Sequence, residues 1–264
     1  MKAFFYGKWL SLLLFSTPLF AQPYCPEERN LAMGSIVTTA WMVAVDQEPV
    51  EALQTRLREY TRERYRVHLR PDHRDSELLI AKRAMMPTVT YLSGSLLARV
   101  YCEGDTTMLA VAYLPDYGDA LTTKDHPQDM QNLWSFARHF VKYYKVHRIQ
   151  DQMEEAYRWR SDWEYSYEKD EQEIRKLTRT IQRLDKRIAR TDGAAREKWQ
   201  ERKIALERRV AELKALLVIK NREIARTYTT LRHLKSELTR IEQLFDEPVR
   251  YEWGPPDAVV YHDH

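Results

Sequence analysis

The sequence predicts an α+β protein: a small antiparallel sheet with packed helices, followed by a long antiparallel coiled-coil helical hairpin. Three observations predict it. Strand-like and helix-like segments alternate over residues 30–127. The 120 residues between Pro127 and Pro248 contain no proline and a single glycine, Gly193, and proline is what most often breaks a helix interior. Beyond Met153, apolar residues recur in steps of three and four, the 3.5-residue period of a coiled-coil seam.

Each element of the first half has its own signal. Residues 35–45 hold Ile36, Val37, Thr38, Thr39, Val43 and Val45, β-branched side chains that suit a strand. Pro49 opens a helix whose apolar positions, Val50, Leu53, Leu57 and Tyr60, form a stripe against Arg and Glu. Residues 65–69 alternate Tyr, Val and Leu with Arg and His, which predicts a short strand. Further strands are expected at 77–84, 95–102 and 106–114, the last two joined by the turn Glu103-Gly104-Asp105 into a hairpin. The expected order is β-α-β-β-β-β and then a long helix, so the helices cover one face of the sheet. In element order alone this is similar to small helix-on-sheet domains such as the TBP-like class. The long helix should start after Pro127, with Asp125 as N-cap. Its apolar face, Leu133, Phe136, Ala137, Phe140, Val141 and Tyr144, should pack on the sheet.

The second half carries two seams. The first runs through Met153, Ala156, Trp163, Tyr167, Ile174, Leu177, Ile181, Leu184 and Ile188, with Arg160 and Asp170 as polar interruptions. The second runs from Leu206 to Phe245, with Lys220 and Thr227 as its polar positions. The runs are out of phase by one residue across Thr191-Asp192-Gly193-Ala194. That shift and Gly193, which tolerates a left-handed conformation, favour a hairpin with its tip near 191–195 over one continuous helix. The expected organisation is therefore a signal peptide at 1–21, a globular domain at 22–150, a hairpin arm at 151–247 and a flexible tail at 248–264. Tyr157, Trp159, Trp163, Tyr165 and Tyr167 cluster at the base of the arm, where a packed joint is the plainer expectation and a binding platform the sharper one.

The signal peptide rests on Lys2 and Lys8, followed by an apolar stretch at 9–21. That stretch is shorter than the ~20 residues needed to span a bilayer. Ala21 offers a cleavage site, and the rival is an uncleaved anchor. No lipobox precedes Cys25. The expected location is periplasmic or secreted, in a bacterial envelope. In that oxidising setting, the only two cysteines, Cys25 and Cys102, predict one disulfide, which the loop-entropy model values at roughly 4 kcal/mol.

Charge is unevenly placed. The full chain has net charge +3, and loss of Lys2 and Lys8 leaves +1, so bulk attraction to nucleic acid has no support. Residues 22–150 are neutral, with sixteen bases and sixteen acids. Residues 151–173 hold nine acids and three bases, net −6, whereas 175–209 hold thirteen bases and five acids, net +8. The bases around the expected tip, Arg183, Lys186, Arg187, Arg190, Arg196, Lys198, Arg202 and Lys203, form the candidate interaction site. They would meet a protein or an anionic envelope component. The bland alternative is a solvated coiled-coil flank.

No catalytic signature stands out. The chain has only seven glycines in 264 residues and no GxGxxG, GxxxxGK[ST] or HExxH window. There is no CxxC and no paired histidine spacing for zinc. His68, Asp72, His73, Asp75, Asp116, Asp119, Asp125, His126 and the terminal His262-Asp263-His264 are scattered, and turns are ordinarily rich in Asp. The leading expectation is therefore a non-catalytic envelope interaction or scaffold protein, with no cofactor, no metal and no integral membrane span. The seam also offers a route to an oligomer. Two alternatives stand beside it. A small β-containing body with basic helical arms is similar to the jellyfish-shaped periplasmic chaperones, although here the body precedes the arm, which would imply a holdase. A ligand-binding or hydrolytic body would instead need a deep pocket near His68, Tyr113 or Asp116.

Overall fold

The computed structural model describes residues 24–45, 48–117 and 119–246. The expected signal peptide and C-terminal tail lie outside the described residues. The chain divides into two compact units, one comprising 24–144 with 244–246, the other 145–243.

The first unit is α+β. Its elements are β1 (Glu27–Met33), β2 (Ile36–Ala44), α1 (Val50–Tyr65), β3 (Arg70–Pro71), β4 (Leu78–Met86), β5 (Thr90–Glu103), β6 (Thr106–Pro115) and the start of α2 (Pro127–Ile188). All strand pairs are antiparallel, in the order β1-β2-β6-β5-β4-β3.

Alternation along the strands gives the sheet two apolar faces. Trp41, Val43, Leu79, Leu96, Ala98, Val100, Leu109, Val111 and Tyr113 lie in one core with Leu53 and Leu57 of α1 and Leu133, Phe136, Phe140 and Tyr144 of α2. The expected apolar face of α2 is thus the face that is buried. Two tryptophans tie the layers: Trp41 Nε1 donates to Met130 O at 2.8 Å and Trp134 Nε1 to Pro26 O at 3.2 Å. Tyr60 packs against Tyr65, Phe136, Phe140 and Tyr143 with ring centroids 5.0–5.7 Å apart. Burying each such side chain contributes roughly 1.5–3 kcal/mol.

The opposite face carries a smaller core, Met33, Ala40, Met42, Leu78, Leu97, Ala110 and Ala112. It forms because β2 pairs with β6 only over Trp41–Ala44. The rest of the β1–β2 hairpin bends over β5 and β4, where Arg99 Nη1 donates to Ala32 O at 2.9 Å.

Three local expectations differ from the structure. Strand β1 was not foreseen: Glu-Glu-Arg-Asn-Leu-Ala-Met is a polar, mostly exposed edge strand with no alternation to betray it. Residues 65–69 are not a strand. α1 runs through Tyr65, Arg66 closes it in the left-handed conformation (φ 57°), and Val67 and Leu69 plug the core from an unpaired segment. Asp125 does not cap α2. Its carboxylate accepts from Thr122 Oγ1 at 2.8 Å, while His126 O accepts from Met130 N at 3.0 Å.

The expected disulfide is also absent: Cys25 and Cys102 are both free and exposed. Cys25 precedes β1 and Cys102 ends β5, with β2 and β6 between those strands. At ~4.8 Å per strand step the two positions are about 14 Å apart along the sheet, whereas bridged Cα atoms lie within about 7 Å.

The second unit is helical. α2 is one uninterrupted helix of 62 residues, so residues 150 and 151 are consecutive within it, and α3 (Ala194–Asp246) follows. No helix among the described residues is long and apolar enough to cross a membrane.

Candidate functional site

The candidate site is the segment where α2 gives way to α3. Near the end of α2, Arg187 O accepts from Thr191 Oγ1 at 2.8 Å and from Arg190 N at 2.9 Å, and Ile188 O accepts from Thr191 N at 3.4 Å. Gly193 takes φ +66° immediately before α3, and Arg196 N donates to its carbonyl at 2.9 Å. Glycine adopts this conformation without the penalty a Cβ would bring.

Beyond the turn, α2 and α3 are joined by cross-helix contacts whose α2 numbers fall as the α3 numbers rise. Lys203 Nζ lies 2.7 Å from Asp185 Oδ1, and Arg209 Nε 3.2 Å from Glu173 Oε1. Lys220 Nζ lies 2.6 Å from Asp170 Oδ2, and Tyr228 OH donates to Glu164 Oε1 at 3.3 Å. Leu184 of α2 and Leu213, Leu231, Leu234 and Ile241 of α3 are buried. The polar seam positions find partners of two kinds. Lys220 also donates to Ser166 Oγ at 2.7 Å and Ser166 O at 3.1 Å. Arg160 lies between the rings of Tyr157 and Tyr228, at 5.3 and 5.1 Å. There a delocalised cation replaces an apolar side chain.

The eight candidate cations separate into three groups. Arg187 and Arg202, both exposed, lie over the half-buried Trp199 ring at 5.4 and 6.0 Å. Lys203 is held by Asp185 and by Glu207 at 3.6 Å, and its pKa is raised chiefly by the hydrogen bond to Asp185. Arg183, Lys186, Arg190, Arg196 and Lys198 are exposed. Among the described residues, no carboxylate pairs with any of these five. The sequence signal of Trp199 is a lone aromatic among basic residues, the sixth residue of α3.

The aromatic cluster at 157–167 is not uniformly packed. Tyr157, Trp159 and Tyr165 are exposed, while Trp163 and Tyr167 are half-buried.

The first unit brings no comparable constellation together. Tyr113 is fully buried, with its hydroxyl 2.6 Å from Ala84 O and 2.7 Å from Leu92 O. Burial raises its pKa to about 12. Asp116 accepts from Ser93 Oγ at 2.6 Å, and His68 is exposed, so these three residues line no common pocket. Asp72 and Asp75 accept from Arg74 N and Glu77 N, the ordinary work of turn aspartates. His126 Nδ1 is 3.6 Å from Asp129 Oδ2. His262, Asp263 and His264 lie outside the described residues. A shallow concavity of about 290 Å³ is lined by Glu28, Arg29, Asn30 and Thr39. Among the described residues, no three His, Cys, Asp or Glu side chains converge on a metal position.

Comparison with protein-family models, with curated proteins and with solved structures finds no match to this chain.

Proposed function

We propose that this chain is a non-catalytic protein of the bacterial envelope, periplasmic or secreted, that uses a helical arm to contact an anionic partner. In this reading α3 and the facing part of α2 form an antiparallel coiled-coil hairpin. The falling-against-rising order of the four cross-helix contacts supports it, as does the positive φ of Gly193 at the turn. The interaction site is the basic segment at 175–209.

One observation carries the proposal: Arg183, Lys186, Arg190, Arg196 and Lys198 flank one turn, exposed, and among the described residues none of the five is in an ion pair, although Asp185, Asp192, Glu197 and Glu201 lie in the same stretch. Like charges left together repel one another, and an anionic surface relieves that repulsion. The attraction is Coulombic, so it weakens within a Debye length of about 8 Å at physiological salt. Neither a cofactor nor a nucleic acid has a place in it.

The test is an envelope pull-down with the mature chain and with a variant in which those five cations are changed to Glu. The wild type should retain anionic envelope material at 50 mM salt and release it at 500 mM, and the variant should retain none. Equal capture by both proteins overturns the basic-segment reading. Recovery of the full-length chain from the cytosol alone overturns the envelope assignment.

A further inference from the structure

Residues 215–219 of α3 read Ala-Leu-Leu-Val-Ile, more than one full helical turn without a polar side chain. A helix that is apolar all the way round is ordinarily buried all the way round. Here Leu217 is half-buried, while Leu216, Val218 and Ile219 are 42%, 63% and 53% exposed. The rest of α3 is heavily charged, so this turn is an isolated belt. Its position along the arm is defined by the flanking pairs, Arg209 with Glu173 on one side and Lys220 with Asp170 on the other. The belt is therefore level with residues 170–173 of α2. That is the point at which the acidic segment 151–173, net −6, gives way to the basic segment 175–209, net +8. With the facing parts of α3 included, 151–173 plus 217–243 carries −3 and 175–216 carries +8.

We propose that this belt is the centre of a two-fold interface with a second copy of the same chain, the two arms lying antiparallel. A two-fold axis makes an interface self-complementary: each patch meets its own copy, and segments on either side of the axis exchange partners. Placed on Leu216, Val218 and Ile219, the axis brings these aliphatics against one another. It also lays the acidic half of each arm along the basic half of the other. A parallel pairing would place +8 against +8. Charge complementarity thus selects both the occupant and its direction. The apolar belt supplies the affinity and the charges supply the alignment. The inference rests on the α2–α3 pairing proposed above.

The test uses the full mature chain with Cys25 and Cys102 changed to Ser. Light scattering should give a dimer, and raising salt from 50 to 500 mM should weaken it by about tenfold through screening. V218E/I219E should weaken it by about a hundredfold or more, because it places charge in the buried centre, while far-UV circular dichroism stays unchanged. In a V218C variant, a short bismaleimide should link two chains. In a K198C variant it should not, because those positions lie at opposite ends of the pair. A monomer at every concentration, a dimer insensitive to V218E/I219E, or efficient K198C self-linking overturns the proposal. Spin labels at 173 and 209 of the monomeric variant report the α2–α3 pairing separately. A long distance there would sink the hairpin, whereas a short distance with no dimer would sink only this interface.

Discussion

The ammonium of Lys220 on α3 reaches Asp170 Oδ2 on α2 at 2.6 Å. The two side chains are only 12% and 14% exposed, and Ser166 supplies two further acceptors to the same ammonium. A half-buried pair of this kind gains little net energy, because desolvation offsets attraction, but losing one partner leaves the other stranded. Its better-attested role is to select one register among several that apolar residues would tolerate equally.

Lys220→Leu should therefore cost about 1–3 kcal/mol, chiefly by leaving Asp170 without its donor. Asp170→Leu combined with Lys220→Leu should recover most of that stability while loosening the register. Urea unfolding of the two single variants and the double variant closes a mutant cycle. If the single costs simply add, the pair is not coupled and the argument fails.

Gly94 has a different kind of necessity. A Cβ at this position would collide with Leu114 O and come within 2.7 Å of Tyr113 Cε1. Strand β5 thus needs a bare backbone where the Tyr113 ring crosses it. Gly94→Ala should cost about 1–3 kcal/mol, since neither backbone nor a fully buried ring can move aside. Gly104 is the control: its φ is +61° and nothing lies within reach of an added Cβ. Gly104→Ala should cost only the conformational term, about 1 kcal/mol. Thermal unfolding of the two variants side by side distinguishes collision from strain, and equal losses would contradict it.

These positions show what the sequence discloses and what it withholds. β2, β5 and β6 announce themselves because β-branched and apolar residues run through them, and α2 because Leu133, Phe136 and Phe140 repeat at helical spacing. The edge strand β1 is silent, because its stability comes from backbone pairing with β2 and few of its side chains are buried. At 65–69 a two-residue alternation misleads: Val67 and Leu69 enter the core from a segment that follows a helix cap. In the second half, Asp170 and Lys220 stand out as polar breaks in two apolar periodicities, but their partnership needs the register of one helix on the other. The basic segment is visible as a charge count. That Lys203 is paired while Lys198 is not depends on which α2 carboxylates face α3.

The cysteines offer a test of the sheet order itself. With β2 and β6 between their strands, the thiols of Cys25 and Cys102 are exposed and unbridged. Two thiols per native chain should react with a maleimide without denaturant, and Cys25→Ser or Cys102→Ser should leave the melting temperature unchanged. A protein prepared under oxidising conditions that shows no free thiol until it is reduced would contradict the arrangement.

The Tyr113 hydroxyl, placed between Ala84 O and Leu92 O, links three strand segments at one end of the sheet. It can be removed without changing the ring. Tyr113→Phe leaves both carbonyls with one potential donor fewer, at a cost of about 1–3 kcal/mol. The same group predicts an alkaline effect. Burial raises its pKa from 10.0 to about 12 in the folded chain. Below pH 10 the hydroxyl is protonated in both folded and unfolded chains and contributes no pH dependence. Between pH 10 and about 12 the unfolded chain loses this proton while the folded chain keeps it, so stability falls as pH rises through that window. Other buried tyrosines, Tyr60 among them, are shifted the same way, so the informative quantity is the difference between proteins. Wild type and Tyr113→Phe should differ most near pH 9 and converge as pH approaches 12, measured by denaturant unfolding at each pH. A constant difference across that range would mean that the hydroxyl titrates alike in both states, contrary to its buried position.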